Sequence, residues 1–237
     1  MGLPNSYSTE LPVRCHDLLQ FLLPVVLGDR ETASRHGGAL TTTLTLALAT
    51  PMLTLPIERI QKHLGEDEGY ADERLLSKHL AKKIEAAVQG KKLCDHPIFA
   101  ELDWSFLQSV PLFNVAHGLP QKIAEALQSP DARESAKELP FVTFLNCLRN
   151  GLSHGGILYL NDQGETSYGE ASMLCFVSAR QDRTPPKCHN RQGRCPTVIP
   201  TIRDLRLLRI SESNFREFLG RWIDWLARAE LTSIAAE

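Results

Sequence analysis

Apolar residues recur along this chain with two different periods, and the change from one to the other falls near residue 156. Upstream of it the spacing is helical. Residues 11–27 form an apolar segment with Pro24 near its end, read as a first helix stopped by Gly28, and DRETASRHGG (29–38) reads as the loop after it. Residues 39–64 have helical length despite their threonines; Pro51 and Pro56 are expected to kink the helix, and the alternation in LTLALAT also admits a strand. From 72 to 89, Leu75, Leu76, Leu80, Ile84 and Val88 recur among Lys, Arg and Glu as one face of an amphipathic helix. The proline-rich stretch 95–120 leaves room for a short helix at IFAELDWSFL; a helix over 120–128 and a loop, SPDARESAKELP, follow.

Phe141, Phe144, Leu145, Leu148 and Leu152 then recur at three- and four-residue steps, a helical stripe that ends at Gly155-Gly156. Downstream the period shortens. ILYL (157–160), MLCFV (173–177) and LRLLRI (205–210) are short apolar runs set off by turn residues, expected as two or three antiparallel strands. Ser211 reads as the N-cap of a last helix whose face is Phe215, Phe218, Leu219, Trp222, Leu226 and Ala229, with Trp225 widening it toward core or a subunit interface.

Composition changes this picture little. A chain of 237 residues, 43% hydrophobic and 23% charged, suits one globular domain, 1–237, rather than a disordered or fibrous protein. Net charge is −2, so any nucleic-acid affinity must be local. The candidate patch is 180–209, where eight basic residues (Arg180, Arg183, Lys187, Arg191, Arg194, Arg203, Arg206, Arg209) outnumber two acidic ones (Asp182, Asp204). A solvated loop is the plainer account of such a run. Six cysteines and no secretory pattern lead to an expectation of reduced thiols in the cytoplasm, although MGLPNS fits a myristoylation pattern. The threonines and prolines of 37–57 make that uncharged run a poor bilayer span, so no membrane partner is expected. Cys188, His189 and Cys195 lack a second ligand pair, and no metal or cofactor is expected.

Chemistry concentrates in RNGLSHGG, 149–156. From Gly151 it is Gly-x-Ser-x-Gly, the nucleophile elbow that would make Ser153 the attacking group of a serine hydrolase. An elbow needs a strand before the serine and a helix after it, and here the expected order is reversed. From Arg149 the same string is Arg-Asn-x-x-x-His. Opposite the apolar stripe, Arg149, Asn150, Ser153 and His154 fan over about 140° of helix surface. Asn150 and His154, four apart, are expected to face one another. His154 falls in the last turn, where the helix dipole favours the imidazolium and a titration near neutrality suits proton transfer. Gly151 inside the helix costs about 1 kcal/mol against alanine and implies a close neighbour, a partner subunit being one candidate.

The string LRNGLSHGGI resembles the Arg-x(4 to 6)-His motif of the HEPN superfamily, with ATPMLTLPIERI (49–60) resembling an earlier helix of plasmid- and genome-encoded bacterial members. The resemblance implies a mainly α fold: an all-α, HEPN-like up-and-down helical bundle, here carrying a small antiparallel β insertion with its basic loop (about 157–210) before the C-terminal helix. It implies a homodimer that brings two Arg/His pairs into one cleft, and a metal-independent endoribonuclease of toxin-antitoxin, phage-defence or RNA-processing type. Arg149, Asn150 and His154 would be catalytic; Ser153 and, in the basic loop that departs from the simplest HEPN form, Arg180, Arg183, Lys187, Arg191 and Arg194 are expected to contact RNA, the loop being equally open to a lid or dimer role. An antitoxin or a nucleotidyltransferase partner is also implied. The rival from another class is a non-catalytic HEPN module that binds RNA or nucleotides; the blandest account is that Arg149 and His154 merely cap and salt-bridge a helix end.

Overall fold

The computed structural model of the chain describes residues 7–64, 78–182 and 201–229, in which eight α-helices accompany a four-stranded antiparallel sheet. The long apolar segments become α1 (Tyr7–Gly28) and α3 (Thr41–His63), packed against each other. α3 runs unbroken through Pro51 and Pro56, so the strand alternative for LTLALAT fails. Its threonines help: Thr50 Oγ1 donates to the Leu46 carbonyl and Thr54 Oγ1 to that of Thr50, each at 2.8 Å. Pro56 lacks the N–H that would bond the Met52 carbonyl four residues back. That carbonyl instead accepts the buried Trp222 indole N–H at 3.0 Å, tying α3 to the last helix.

Two stretches read as loops are short helices. α2 (Arg30–His36) starts where the Asp29 carboxylate accepts the Thr32 N–H and stops at Gly37 in the left-handed region. α6 (Pro130–Lys137) starts with Ser129 as N-cap and proline in the first turn. Neither has the apolar stripe that announces a helix; caps alone define them. Of the amphipathic helix expected over 72–89, α4 (Lys78–Val88) is described, with Ile84 and Val88 buried; Leu75 and Leu76 lie outside the described residues. α5 (Gln121–Gln128) follows Pro120 as expected.

IFAELDWSFL is not a helix. A 3-10 turn (Pro97–Phe99) is followed by strand β1, Ser105–Val110. β2 (Ile157–Leu160), β3 (Met173–Asp182) and β4 (Thr201–Ser211) occupy the three expected runs, and the sheet order is β1-β4-β3-β2. β1, from upstream of the motif helix, pairs with β4 in the register Ser105↔Arg209 and Phe106↔Leu208. This corrects the all-α bundle: the sheet draws strands from both sides of the motif and shares the main core, making a predominantly helical but mixed α/β fold.

Strand alternation explains how the layers meet. Leu174 and Phe176 of β3, with Leu208 and Ile210 of β4, face α7 (Phe141–His154) and α8 (Glu212–Arg228), joining Phe144, Leu148, Phe218 and Trp222 in one core. Cys175, Val177, Leu205 and Leu207 face the other way and pack with Leu127 of α5. α8 begins as expected, Ser211 Oγ accepting the Asn214 N–H at 3.3 Å. Trp225 is part of the core wing, stacked on Trp222 with ring centroids 5.1 Å apart and edge-on to Phe141 at 5.6 Å.

α1 stands apart in its exposure. Its stretch Glu10–Gly28 is long and apolar enough to cross a membrane by length and composition, and Leu18, Phe21 and Val25 lie exposed along it.

Candidate active site on helix α7

α7 is fixed by its aromatic stripe. Phe141, Phe144, Leu145, Leu148 and Leu152 are all buried, and the helix stops where Gly155 adopts φ 66°, ψ 22°. Just beyond, Gly156 accepts the Val177 N–H on its carbonyl at 2.7 Å, binding the helix exit to β3. A Cβ on Gly156 would stand 2.6 Å from the Val177 carbonyl oxygen, a backbone atom that cannot swing aside. Gly156→Ala is therefore expected to cost about 1–3 kcal/mol through overpacking, read as a lowered Tm. The crowding at Gly151 has the same source: its missing Cβ would meet Phe176 Cβ at 3.0 Å, so the close neighbour is this chain's own β3 and not a partner subunit.

The polar side of α7 is held at both margins. Toward α3, Gln61 donates its amide to Asn146, and Arg149 Nη2 lies 3.7 Å from Glu58 Oε1 with both side chains about a third exposed. Toward the sheet, Asn150 Nδ2 donates to Ser178 Oγ of β3 at 3.1 Å, and the Cys147 thiol meets the same hydroxyl. Burial pushes the Cys147 thiol up to about 11, so it stays a neutral packing group. Ser153 and His154 are exposed on the last turn, and among the described residues no hydrogen bond or ion pair holds either.

The predicted triad is thus brought to one face, but not into one network. Asn150 bonds Ser178, not His154, because β3 lies alongside that margin of the helix. Arg149 and His154 are five residues apart, about 140° around the axis, with neither sealed. Ser153 sits inside a helix that precedes strand β2, so the strand-to-helix turn required of an elbow is missing.

The basic tract separates by strand alternation. Arg183, Lys187, Arg191 and Arg194 lie outside the described residues, as do Cys188, His189 and Cys195. Arg180 is ion-paired with Asp204, which Arg203 also approaches at 3.7 Å. Arg209 is buried on the opposite face of the sheet, where its Nη2 donates to Ser105 Oγ at 3.3 Å; burial draws its pKa below the ordinary arginine value. Arg206 stands across from Ser178 in the β3–β4 register, on the α7 side, without an ion pair among the described residues. Ser178 and Glu58 were not singled out from sequence. A serine on the strand face that otherwise carries Leu174 and Phe176 was the one available signal.

Among the described residues no group of three His, Cys, Asp or Glu side chains is placed to hold a metal. A cavity of about 610 Å³ lies elsewhere, lined by His96, Phe99, Trp104, Ala136 and Arg133 among others, and contains none of the α7 motif residues. Comparison with known proteins returns no matching family model, no matching curated sequence and no matching solved structure, so the reading of this site rests on its own residues.

Proposed function

We propose that the chain is a metal-independent endoribonuclease of HEPN type acting in toxin, phage-defence or RNA-processing roles. The observation that supports the reading is the exposed His154 imidazole in the last turn of α7, on the polar face that also carries Arg149 and Asn150. RNA offers its own nucleophile. As the ribose 2′-oxygen bonds to phosphorus, its proton passes to a neutral His154 imidazole; the P–O5′ bond breaks, and the departing 5′-oxygen takes a proton from an imidazolium or from water. In a homodimer the two copies of His154 divide these transfers. Arg149 stabilises the charge gathering on the phosphate. Asn150, anchored on Ser178, sets the position of that phosphate relative to the sheet.

Glu58 favours a second reading. A carboxylate 3.7 Å from Arg149 neutralises part of the charge a phosphate needs, which suits a module that binds RNA, nucleotides, an antitoxin or a nucleotidyltransferase partner without cutting. Purified protein incubated with single-stranded RNA in EDTA separates the two. Fragments ending in 2′,3′-cyclic phosphate are expected; RNA retained by the protein yet intact after long incubation supports binding alone.

A further inference from the structure

Arg206 is a partly buried cation on the α7 side of the sheet with no ion pair among the described residues. Along the α7-facing side of β3 and β4 the register pairs are Leu174↔Ile210, Phe176↔Leu208, Ser178↔Arg206 and Arg180↔Asp204. The apolar face therefore turns polar beside Asn150. Asp204 neutralises Arg180, whereas Arg206 has no carboxylate within ion-pair distance among the described residues. Arg206 is partly buried, and its Nε is shut away from solvent without an acceptor. Holding a guanidinium in such a place costs free energy unless an anion completes it.

We infer that Arg206, beside the Asn150–Ser178 pair, forms a phosphate subsite one strand away from the α7 motif, taking the RNA phosphate next to the scissile one. The guanidinium offers a planar fork of donors suited to phosphate oxygens. Ser178 is buried, accepts the Asn150 amide on its Oγ at 3.1 Å and meets the Cys147 thiol, so it anchors Asn150 beside Arg206 and leaves the guanidinium to meet the phosphate. Asn150 thereby links the two phosphate positions: it belongs to α7 and bonds the serine that faces Arg206. The identity of the ligand as RNA rests on the ribonuclease reading, while the anion subsite itself rests on the unmatched arginine.

The test uses a single-stranded oligoribonucleotide blocked at every 2′-oxygen by methylation, so that binding is measured without cleavage. Fluorescence anisotropy across a salt series compares the native chain with Arg206→Ala, Arg206→Lys and Lys122→Ala. Arg206→Ala is expected to weaken binding about tenfold and to lower the slope of log K against log salt by about 0.7. Arg206→Lys should recover the slope but only part of the affinity. Lys122→Ala, an exposed lysine of α5 on the opposite face of the sheet, should bind like the native chain. Because Arg206 has no internal ion pair to lose, the Tm of Arg206→Ala should not fall. A second arm titrates inorganic phosphate, followed by ³¹P NMR line width. Line broadening abolished by Arg206→Ala, without any oligonucleotide binding, keeps the anion subsite and removes RNA as its ligand. Native affinity and slope in Arg206→Ala would overturn the subsite, as would a fall of several degrees in its Tm or a native chain that binds neither probe. A native chain that cuts no RNA but binds the blocked strand through Arg206 sinks the ribonuclease reading and leaves the subsite standing.

Discussion

His154→Ala is expected to reduce RNA cleavage about 10²- to 10⁴-fold, the range by which a positioned general acid or base contributes. The measure is the initial rate on a labelled single strand in EDTA. The fold should be indifferent to the change. His154 is exposed in the last helical turn, and among the described residues no hydrogen bond, ion pair or ring contact holds its side chain, so the substitution belongs with surface changes worth about ±0.5 kcal/mol. Activity lost with Tm unchanged is the signature of chemistry. Activity retained removes His154 from the mechanism, and with it the ribonuclease reading. Ser153→Ala makes the contrast, because Ser153 is exposed on the same turn and would be the nucleophile of the competing hydrolase. It should leave cleavage within a few-fold of native, as befits a hydroxyl that at most touches the phosphate backbone. The reverse pattern, a silent Ser153→Ala beside an active His154→Ala, would revive the hydrolase despite the helical setting of the serine.

The same residues show what the sequence made legible. The buried face and the end of α7 could be read because a period of 3.6 in large apolar side chains and a terminal glycine pair are local signals. β2, β3 and β4 were legible as short apolar runs between turns. What escaped was decided by partners far along the chain. Nothing within IFAELDWSFL says that Ser105–Val110 will add to β4 about a hundred residues later, and its Ala, Glu and Leu favour helix locally. α2 and α6 rest on Asp29 and on Ser129-Pro130, single capping signals that a search for apolar periodicity passes over. The site followed the same rule. Helix geometry put Arg149, Asn150 and His154 on one polar face, but only the packing of α3 and β3 against α7 gives Arg149 to Glu58 and Asn150 to Ser178. The basic tract looked like one patch because charge counting ignores the twofold period of a strand, which sends Arg206 and Arg209 to opposite faces.

Phe144→Ala is expected to be the most destabilising of the changes considered, by about 3–5 kcal/mol, or on the order of 10 °C in Tm for a chain of this size. Its ring is wholly buried and lies edge-on to Phe99, Trp104 and Phe218, with centroid distances of 4.8, 4.9 and 5.6 Å. Those neighbours come from the 3-10 turn, the approach to β1, and α8, so one truncation opens a cavity where three separate segments meet the motif helix. The tight packing at Gly151 and Gly156 holds the exit of α7 against β3 and limits how far the helix can slide to fill the space. Urea unfolding should show the loss as a lower midpoint at unchanged slope. Its effect on cleavage separates support from chemistry. Well below its lowered Tm, Phe144→Ala still carries His154, Arg149 and Asn150 on a helix pinned at its far end, so it should cut RNA at a rate near native and fail steeply on warming. His154→Ala should be slow at every temperature. If Phe144→Ala were as slow in the cold as His154→Ala while still folded, the motif side chains would depend on the aromatic core for their alignment, and the loss in His154→Ala could no longer be assigned to proton transfer alone.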